Sequence, residues 1–179
     1  KSKVVDAEGK PLVVYHGTNA DFTEFDKSTF GKETGVGWLG NGFYFTPDAS
    51  VTSSYGKRSV DSYLSLQNPF TFPDDVNPIK FVKEHGGKDG FADYVKSLGH
   101  DGIISDSILH QYVAFEPTQI KSATANTGTF SPDNADIRYS ADPSQAKKER
   151  AAPPHYSQLP DTAAAKAWRE QGVESPWFK

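Results

Sequence analysis

Two stretches of the chain carry residue types that together suit the binding of a nucleotide. The first is a β-like run that ends in His16, Gly17 and Thr18. Such an end places an imidazole, a backbone without a side chain and a hydroxyl side by side, so a planar ligand can approach the main chain closely. The second stretch, residues 40–46, holds two glycines and an aromatic strand. These residue types predict a cleft for a nicotinamide or purine ring.

Two tyrosines follow these glycines. Tyr44 stands in the middle of Phe43–Phe45, and Tyr55 ends a stretch of small residues that begins at Asp48 and is typical of a short helix or turn. A tyrosine offers a flat face for stacking a heterocycle and a hydroxyl for holding it. Both tyrosines are therefore candidate ligand-binding residues.

Each of these pieces is also a common structural feature. A histidine at a strand end more often makes a structural hydrogen bond than it takes part in catalysis, and aromatic strand residues usually pack a sheet. Tyr55 and Gly56 could simply be the end of an element with a glycine cap. The prediction of a functional site therefore depends on the whole ordered set and its spacing.

Taken in order, the segments resemble those of ADP-ribosyltransferases of the diphtheria-toxin and poly(ADP-ribose) polymerase kind. The resembling residues are His16 to Thr18, the run 40–46 with Tyr55 eleven positions after Tyr44, and residues 111–115 leading into 117–120. The flanking sequence is more closely similar to the ADP-ribosyltransferase domain of phage and mobile-element polyvalent proteins, at residues 3–6, 9–12, 68–69, 101–104, 119–123 and 136–140. The resemblance covers about the first four-fifths of the chain, which is the size of one ordinary domain.

The resemblance implies an α+β protein with the ADP-ribosyltransferase fold, in which a split antiparallel β-sheet and small helices surround an NAD cleft. It also implies an NAD-dependent mono-ADP-ribosyltransferase that cleaves nicotinamide from NAD and transfers ADP-ribose to a host macromolecule. NAD would be the substrate, and no metal would be needed. Such a protein would act on a host protein in the cytosol of the host cell, and it would be part of a larger polyprotein.

The same resemblance assigns roles to individual residues. His16, Tyr44 and Gln111 would form the catalytic set, with His16 on the adenosine ribose and Tyr44 beside the nicotinamide. The main chain of Gly17 would bind the nicotinamide carboxamide, which needs the missing side chain. The other residues implied to bind NAD are Thr18, Gly42, Phe43, Thr52, with its hydroxyl on the carboxamide, and Tyr55, stacked on the ring. We expect the strand-end imidazole of His16 to contribute little to packing.

Gln111 departs from the polymerase-like pattern, in which Glu is usual at this position. A carboxylate there can hold the nicotinamide-ribose hydroxyl and also deprotonate an acceptor, whereas an amide can only hold the hydroxyl. Glu116 is the nearest carboxylate, but strand alternation puts it on the opposite face from Gln111. We expect Glu116 to be a solvated strand-end residue, and Glu24 and Glu33 are alternative candidate bases.

Two other functions stay open. Water could trap the oxocarbenium ion, which would make the protein an NAD glycohydrolase toxin, and the neutral Gln111 would also permit a catalytically silent NAD-binding module of a multidomain phage protein. The net charge of −4 disfavours a nucleic-acid acceptor, since a phosphate-reading surface usually shows a basic excess. Nothing in the sequence indicates an oligomeric state.

The composition predicts one domain with an extension. The chain has 179 residues, of which 36% are hydrophobic and 13% aromatic, enough for one core. It has no Cys and no apolar run of ~20 residues, so we expect no disulfide, no thiolate metal site and no membrane span. We place the catalytic domain at 1–140 and a linker or tail with a short helix at 141–179, which could lead into a further module. The absence of Met indicates a piece of a longer protein.

The elements that must position these residues are short. Strands are predicted at 12–16, 42–46, 63–66, 102–105 and 111–115, where β-branched or aromatic runs are broken by Gly, Pro, Asn and Asp. Apolar residues at helical spacing predict a helix over 91–98, capped by Asp89 and Gly99. The segments 68–69 and 73–78 are predicted to be loops.

Overall fold

The protein is described by a computed structural model at residues 1–30, 37–106, 110–125 and 133–138. Glu33 and the tail 141–179, with its predicted short helix, lie outside these described residues. Within them, no helix combines the length and the apolar character that crossing a membrane requires.

Short strands dominate the described chain, and two α-helices lie between the fourth and fifth strands. The elements are β1 (Val14–Thr18), β2 (Phe43–Phe45), β3 (Arg58–Leu64), β4 (Phe70–Thr71), α1 (Pro78–Glu84), α2 (Gly87–Ser97), β5 (Gly102–Ser105), β6 (Gln111–Ala114) and β7 (Ile120–Ser122). Short 3₁₀ helices cover Lys27–Thr29, Ala49–Ser54 and Pro117–Gln119. The α+β class predicted from the sequence is confirmed.

The strands form two sheets that meet at one pair of residues. The first sheet has the order β1-β3-β7 and the second the order β2-β6-β5-β4. Neighbouring strands are antiparallel except β4 and β5, which are parallel. Between the sheets, Tyr15 and Thr46 exchange main-chain hydrogen bonds of 2.8 and 3.0 Å, and we call this pair the connecting rung. The core is therefore a split sheet, as predicted, with one parallel pair at its edge.

Two apolar clusters pack against opposite faces of the second sheet. Along β6, Ala114 belongs to the first cluster, whereas Val113 and the following Phe115 belong to the second. The first cluster also contains Phe25, Phe43, Phe45, Leu64, Ile120 and Ile137. The second contains Phe70, Val82, Phe91, Val95 and Ile103, so it is the one that α1 and α2 cover. This division follows from the two-residue period of strands, which sends successive side chains to opposite faces.

Helix α2 begins earlier than the apolar spacing predicts. Helix α2 starts at Gly87 after an N-cap Gly86 with φ of 101°, so Asp89 lies in the first helical turn and is not the cap. A carboxylate is favourable there because it faces the positive end of the helix dipole. Gly99, with φ of 84°, ends the helix as predicted. Leu98 is 52% exposed, because it is the C-cap and has turned away from the buried face.

Helix α1 and two strands are absent from the predicted elements. The loop predicted at 73–78 ends early, because Pro78 is the first residue of α1 and the side chain of Asn77 caps the Lys80 amide at 3.1 Å. Proline suits the first helical turn because the amide it lacks would be unpaired there. Strands β4 and β7 have only two and three residues, too few for a pattern to emerge. The predicted strand at 63–66 is the end of the longer β3.

Candidate functional site

His16 lies where β1 and β2 diverge, and it connects the two strands. Its Nδ1 lies 2.8 Å from the carbonyl oxygen of Tyr44. A carbonyl only accepts hydrogen bonds, so Nδ1 carries the hydrogen and Nε2 of the neutral ring keeps a lone pair. Burial lowers the pKa of His16 from its ordinary 6.5, and the bond to Tyr44 opposes this only in part. The neutral ring therefore presents Nε2 as an acceptor.

The imidazole of His16 is also a packing residue. Its ring lies 5.1 Å from the ring centroid of Phe25, 5.4 Å from Phe45 and 6.5 Å from Phe22. The expectation that a strand-end imidazole contributes little to packing is therefore wrong. The cause is the loop after β1, which folds Phe22 and Phe25 back over the ring, and no local pattern in the sequence reports such a return.

Gly17 has main-chain groups that face the gap between the sheets. Backbone groups alternate in direction along a strand, so those of Gly17 point to the same edge as those of Tyr15, which pair with Thr46. Continuing that register would pair Gly17 with Tyr44, but the Tyr44 carbonyl accepts from His16 instead. Within the described residues, no hydrogen bond joins the main chain of Gly17 to β2. One N–H and one C=O are thus available to a ligand.

The 3₁₀ helix Ala49–Ser54 packs directly on Gly17 and requires the glycine. A Cβ at Gly17 would overlap the carbonyl oxygen of Thr52 and lie 2.9 Å from Cβ of Tyr55. The helix begins at Asp48, whose side chain accepts from the Ser50 amide, and ends with Tyr55 as C-cap. Of the two predicted alternatives for Asp48 to Tyr55, a short helix or a turn, the structure has the short helix.

The three hydroxyl residues beside Gly17 differ in what they offer a ligand. The buried Thr52 donates its hydroxyl to the carbonyl of Ala49 at 2.6 Å. Thr18, the last residue of β1, accepts from the Ala20 amide at 3.1 Å. The side chain of Tyr55 is 47% exposed, and in the described part of the chain no other aromatic ring contacts it. Tyr55 is therefore half exposed, and its Cβ lies beside Gly17, whose main chain makes no hydrogen bond to β2 within the described residues.

Tyr44 lies on the second sheet with its hydroxyl already bonded. The hydroxyl donates to the carbonyl of Gly40 at 2.6 Å, and burial raises the pKa of Tyr44 well above its ordinary 10. The ring lies so close to Gly37 that a Cβ there would overlap it. Tyr44 can line a cleft with its ring, and it does not provide a readily ionised phenol.

Gly42 and Phe43, both predicted to bind the cofactor, are held by the packing of β2. A Cβ at Gly42 would overlap Cγ1 of Val113 on the neighbouring strand. The Phe43 side chain is 4% exposed and packs against Phe25 and Phe30 at centroid distances of 5.1 and 4.7 Å. Neither residue has a side chain available to a ligand, so a role in binding NAD would fall to their main chain.

Gln111 is held by Trp38, a residue that no motif in the sequence predicts to be part of the site. The indole Nε1 of Trp38 donates to Oε1 of Gln111 at 3.0 Å. The Trp38 ring is stacked on Phe72 at 6.0 Å with an interplanar angle of 12°. Trp38 stands in the glycine-rich interval before β2, where no periodicity marks it, so only the presence of an indole donor could have drawn attention to it.

The connecting rung relates the backbones of β1 and β6 through β2. Phe45 pairs with Tyr112, so Gln111 and Thr46 are the next residues of their strands, and Thr46 pairs with Tyr15. Gln111 thus lies at the end of β6 that borders the rung. Gln111 also shares a face with Val113, and therefore with Tyr44, which pairs with Val113. His16 is the residue after Tyr15, at the opening of the gap.

Of the acidic residues considered as bases, Glu116 and Glu24 lie within the described residues. Glu116 is exposed and forms an ion pair with Lys27 at 2.5 Å, so its prediction as a solvated strand-end residue is confirmed. Glu24 is exposed and pairs through its backbone with Asp136, on the side of the first sheet. Among the described residues, no group of three or more His, Cys, Asp or Glu side chains is arranged to hold a metal ion.

A separate open groove of about 450 Å³ lies on another part of the surface. It runs between the N-terminal segment and strands β4 to β6, and its lining includes Lys3, Asn68, Thr71, Asp106 and Tyr112. None of the predicted site residues lines it, so this groove and the candidate site are different features.

Comparison with known proteins identifies a family. A family model described as "ADP-Ribosyltransferase in polyvalent proteins" matches residues 6–130, which is well over half of the chain. No curated protein matches. A solved structure titled "Crystal structure of an anti-CRISPR protein" is similar at 11% sequence identity and a TM-score of 0.36, over 61% of this chain and 91% of its own. A likeness of that size says nothing about function.

Proposed function

The chain belongs to the family of ADP-ribosyltransferases found in polyvalent proteins, and on that basis we propose that it is a mono-ADP-ribosyltransferase that modifies a host macromolecule. The family uses NAD as its substrate. The acceptor we propose is a host protein in the cytosol of the host cell. A nucleic-acid acceptor is less favoured, because the chain has a net charge of −4 and lacks a basic excess.

The proposed reaction breaks the bond between the nicotinamide nitrogen and the ribose carbon. The electron pair of that bond leaves with nicotinamide, and positive charge develops on the ribose until a nucleophile of the acceptor attacks the same carbon. The protein accelerates such a step chiefly by holding NAD in a strained, correctly oriented conformation. Every residue assigned below is a binding or orienting group, consistent with that requirement.

The unpaired main chain of Gly17 beside the exposed ring of Tyr55 is the observation that carries the proposal. A carboxamide has one acceptor and one donor group, and it would take the Gly17 N–H on its oxygen while donating its N–H to the Gly17 carbonyl. The ring of Tyr55 would stack on the attached nicotinamide. Gly17 thus matches the carboxamide of the leaving nicotinamide, and Tyr55 matches its ring.

His16 would hold the other half of NAD. The neutral imidazole has Nδ1–H committed to the Tyr44 carbonyl, so Nε2 is the atom that can accept a hydrogen bond from an adenosine-ribose hydroxyl. The lowered pKa of His16 keeps Nε2 unprotonated at neutral pH. The same residue would therefore hold the strands at the gap and bind the ligand there.

Gln111 limits what the site can do after nicotinamide leaves. Its neutral amide can bind a ribose hydroxyl but cannot take a proton from an acceptor. We therefore propose single transfers and no chain elongation. The same amide favours a second candidate function, NAD glycohydrolysis, since water can trap an oxocarbenium ion without a strong base.

The proposal is tested by following both products of NAD at once. The protein is incubated with adenylate-labelled NAD and host lysate, while free nicotinamide and label on macromolecules are measured.

Two variants separate the tasks of His16. His16→Asn keeps a side-chain N–H near the position of Nδ1 and lacks Nε2. His16→Gln places its amide near the position of Nε2 and lacks a donor at Nδ1. We expect His16→Asn to stay folded and lose NAD cleavage, and His16→Gln to lose stability while retaining part of the cleavage.

The outcomes separate the candidate functions. Label on protein that depends on His16 supports the transferase, and label found only in free ADP-ribose supports the glycohydrolase. Full activity of a folded His16→Asn protein would remove His16 from the site. Binding of NAD without release of nicotinamide would identify a silent binding module.

A further inference from the structure

The Gln111 side chain has a fixed orientation, and that orientation has a chemical consequence. The indole of Trp38 is only a donor, so the atom of Gln111 that it contacts at 3.0 Å is the carbonyl Oε1 and not the amide nitrogen. The amide plane then turns Nε2 away from Trp38. A carboxamide held in this way offers two N–H groups on its free side.

The neighbouring polar group on β5 does not bind that amide nitrogen. Ser105 stands directly opposite Gln111 in the antiparallel register, so the two side chains lie on the same face. Within the described chain, the buried Ser105 Oγ has no hydrogen-bond partner. The cross-strand hydroxyl therefore does not bind Nε2 of Gln111.

Trp38 is itself held in place by the second apolar cluster. Its ring stacks on Phe72, and Phe72 stacks on Phe91 of α2 at 5.9 Å with an interplanar angle of 11°. Phe91 is fully buried. This row of three stacked rings connects the helical layer to the amide of Gln111.

We propose that Trp38 is a positioning residue that turns the Gln111 amide so that Gln111 meets the nicotinamide ribose as a donor of N–H groups to a hydroxyl oxygen. This inference rests on the proposed use of NAD. A glutamate at this position would act in the opposite sense, as an acceptor of the hydroxyl proton. Trp38 would then matter much less, because the two oxygens of a carboxylate are equivalent and either could face the ribose.

The difference between an amide and a carboxylate provides the test. Trp38→Phe keeps a stacked ring and removes the donor, so the Gln111 amide is free to flip. We expect NAD cleavage to fall about fivefold, the worth of roughly one neutral hydrogen bond. In the Gln111→Glu background the same Trp38→Phe change should reduce NAD cleavage by less than about twofold. The two oxygens of a carboxylate are equivalent, so a flip does not alter what the side chain presents. Trp168→Phe, a substitution outside the family match, is the control in both backgrounds.

A second measurement does not depend on catalysis. In ¹H–¹⁵N spectra, the indole signal that disappears in Trp38→Phe is assigned to Trp38. We expect this signal to shift in Gln111→Leu, which removes its acceptor, and the side-chain NH₂ signals of Gln111 to shift when NAD is added. Trp168→Phe should leave these signals in place.

The outcomes distinguish this inference from the proposed function. An equal loss of NAD cleavage in both backgrounds would show that Trp38 acts by packing alone and would overturn the inference. An indole signal that does not shift in Gln111→Leu would overturn it too. If NAD is neither cleaved nor bound while the indole signal still depends on Gln111, the proposed use of NAD fails and the donor role toward ribose fails with it. If Trp38→Phe reduces NAD cleavage when residue 111 is Gln but not when it is Glu, both the inference and the proposed function are supported.

Discussion

At the scale of the residue, the two nitrogens of His16 have different tasks. Nδ1–H replaces the main-chain bond that β1 would otherwise make to Tyr44, and Nε2 stays available at the gap. The surrounding rings of Phe22, Phe25 and Phe45 disfavour a charged imidazole, which is why burial lowers the pKa of His16. This environment links the protonation of one side chain to the stability of the region where the sheets diverge.

The lowered pKa predicts a pH dependence of folding. Between the pKa of His16 in the folded protein and its ordinary 6.5 in the unfolded chain, the unfolded state binds the extra proton. The contribution of His16 to stability is therefore complete above pH 6.5 and is lost as the pH falls toward the folded pKa. We expect the urea midpoint to decrease from pH 7.5 to about pH 5, a range above the titration of ordinary carboxyl groups.

The variant His16→Asn is the control for this measurement. It has no imidazole to titrate, so its urea midpoint should change less over the same range of pH. An equal decrease in both proteins would assign the effect to other groups. Asp48 and Asp136 also have lowered pKa values, but their ordinary value of 3.8 places their effect at more acidic pH.

At the scale of the element, Gln119 joins the ends of three strands. Its Oε1 accepts from the amides of Phe115 and Glu116 at 2.9 and 2.8 Å. Its Nε2 donates to the carbonyl of Asp101 at 2.7 Å and to that of Ser65 at 3.4 Å. The amide thus satisfies main-chain groups after β6, before β5 and after β3.

Replacing the amide of Gln119 by a carboxylate should destabilise the fold. Gln119→Glu retains the acceptor and loses both donors, and it sets a negative charge against the Asp101 carbonyl. We expect a loss of about 2 kcal/mol in the free energy of unfolding, measured by urea titration. Gln171→Glu, which makes the same charge change outside the family match, should leave the midpoint unchanged. A stable Gln119→Glu protein would show that water can replace these bonds.

The sequence predicts the elements better than it predicts the contacts between them. Strand β5 was predicted with its bounds, and β1, β2 and β6 within two residues, because each is an apolar or aromatic run between turn-forming residues. The faces of β6 followed from strand alternation. The Trp38–Gln111 bond and the covering of His16 by Phe22 and Phe25 could not be predicted, since both join segments whose approach is set by the whole fold.

At the scale of the whole molecule, the segment 133–138 completes the first apolar cluster. Ile137 is 5% exposed within that cluster. Its carbonyl accepts from the Ser122 amide at 2.8 Å, and its amide donates to the Thr23 carbonyl at 2.9 Å. The ammonium group of Lys121 donates to the carbonyls of Asn134 and Asp136. The segment therefore lies between β7 and the loop that covers His16.

These contacts predict where the domain can be shortened. The family match ends at residue 130, before this segment, whereas our proposed catalytic domain extends to 140. We expect a protein of residues 1–140 to fold and to cleave NAD as the full chain does. A protein of residues 1–130 should lose about 3 kcal/mol or more of stability, the usual cost of removing one large buried aliphatic side chain. Urea titration and nicotinamide release measure the two effects.

The substitution Ile137→Ala in the 1–140 protein shows whether the buried side chain is responsible. It should reproduce most of the loss seen on shortening to 130. If residues 1–130 are as stable as residues 1–140, the segment adds nothing to the core, and the boundary at 140 is wrong.

The bond between Trp38 and Gln111 has an evolutionary consequence. Codons for glutamine and glutamate differ only in their first base, and an indole can donate to an oxygen of either side chain. A single point mutation could therefore convert an amide into a carboxylate at this position without removing the contact that supports it. A lineage carrying this scaffold can therefore exchange a neutral amide for a proton-accepting carboxylate at this position in one step.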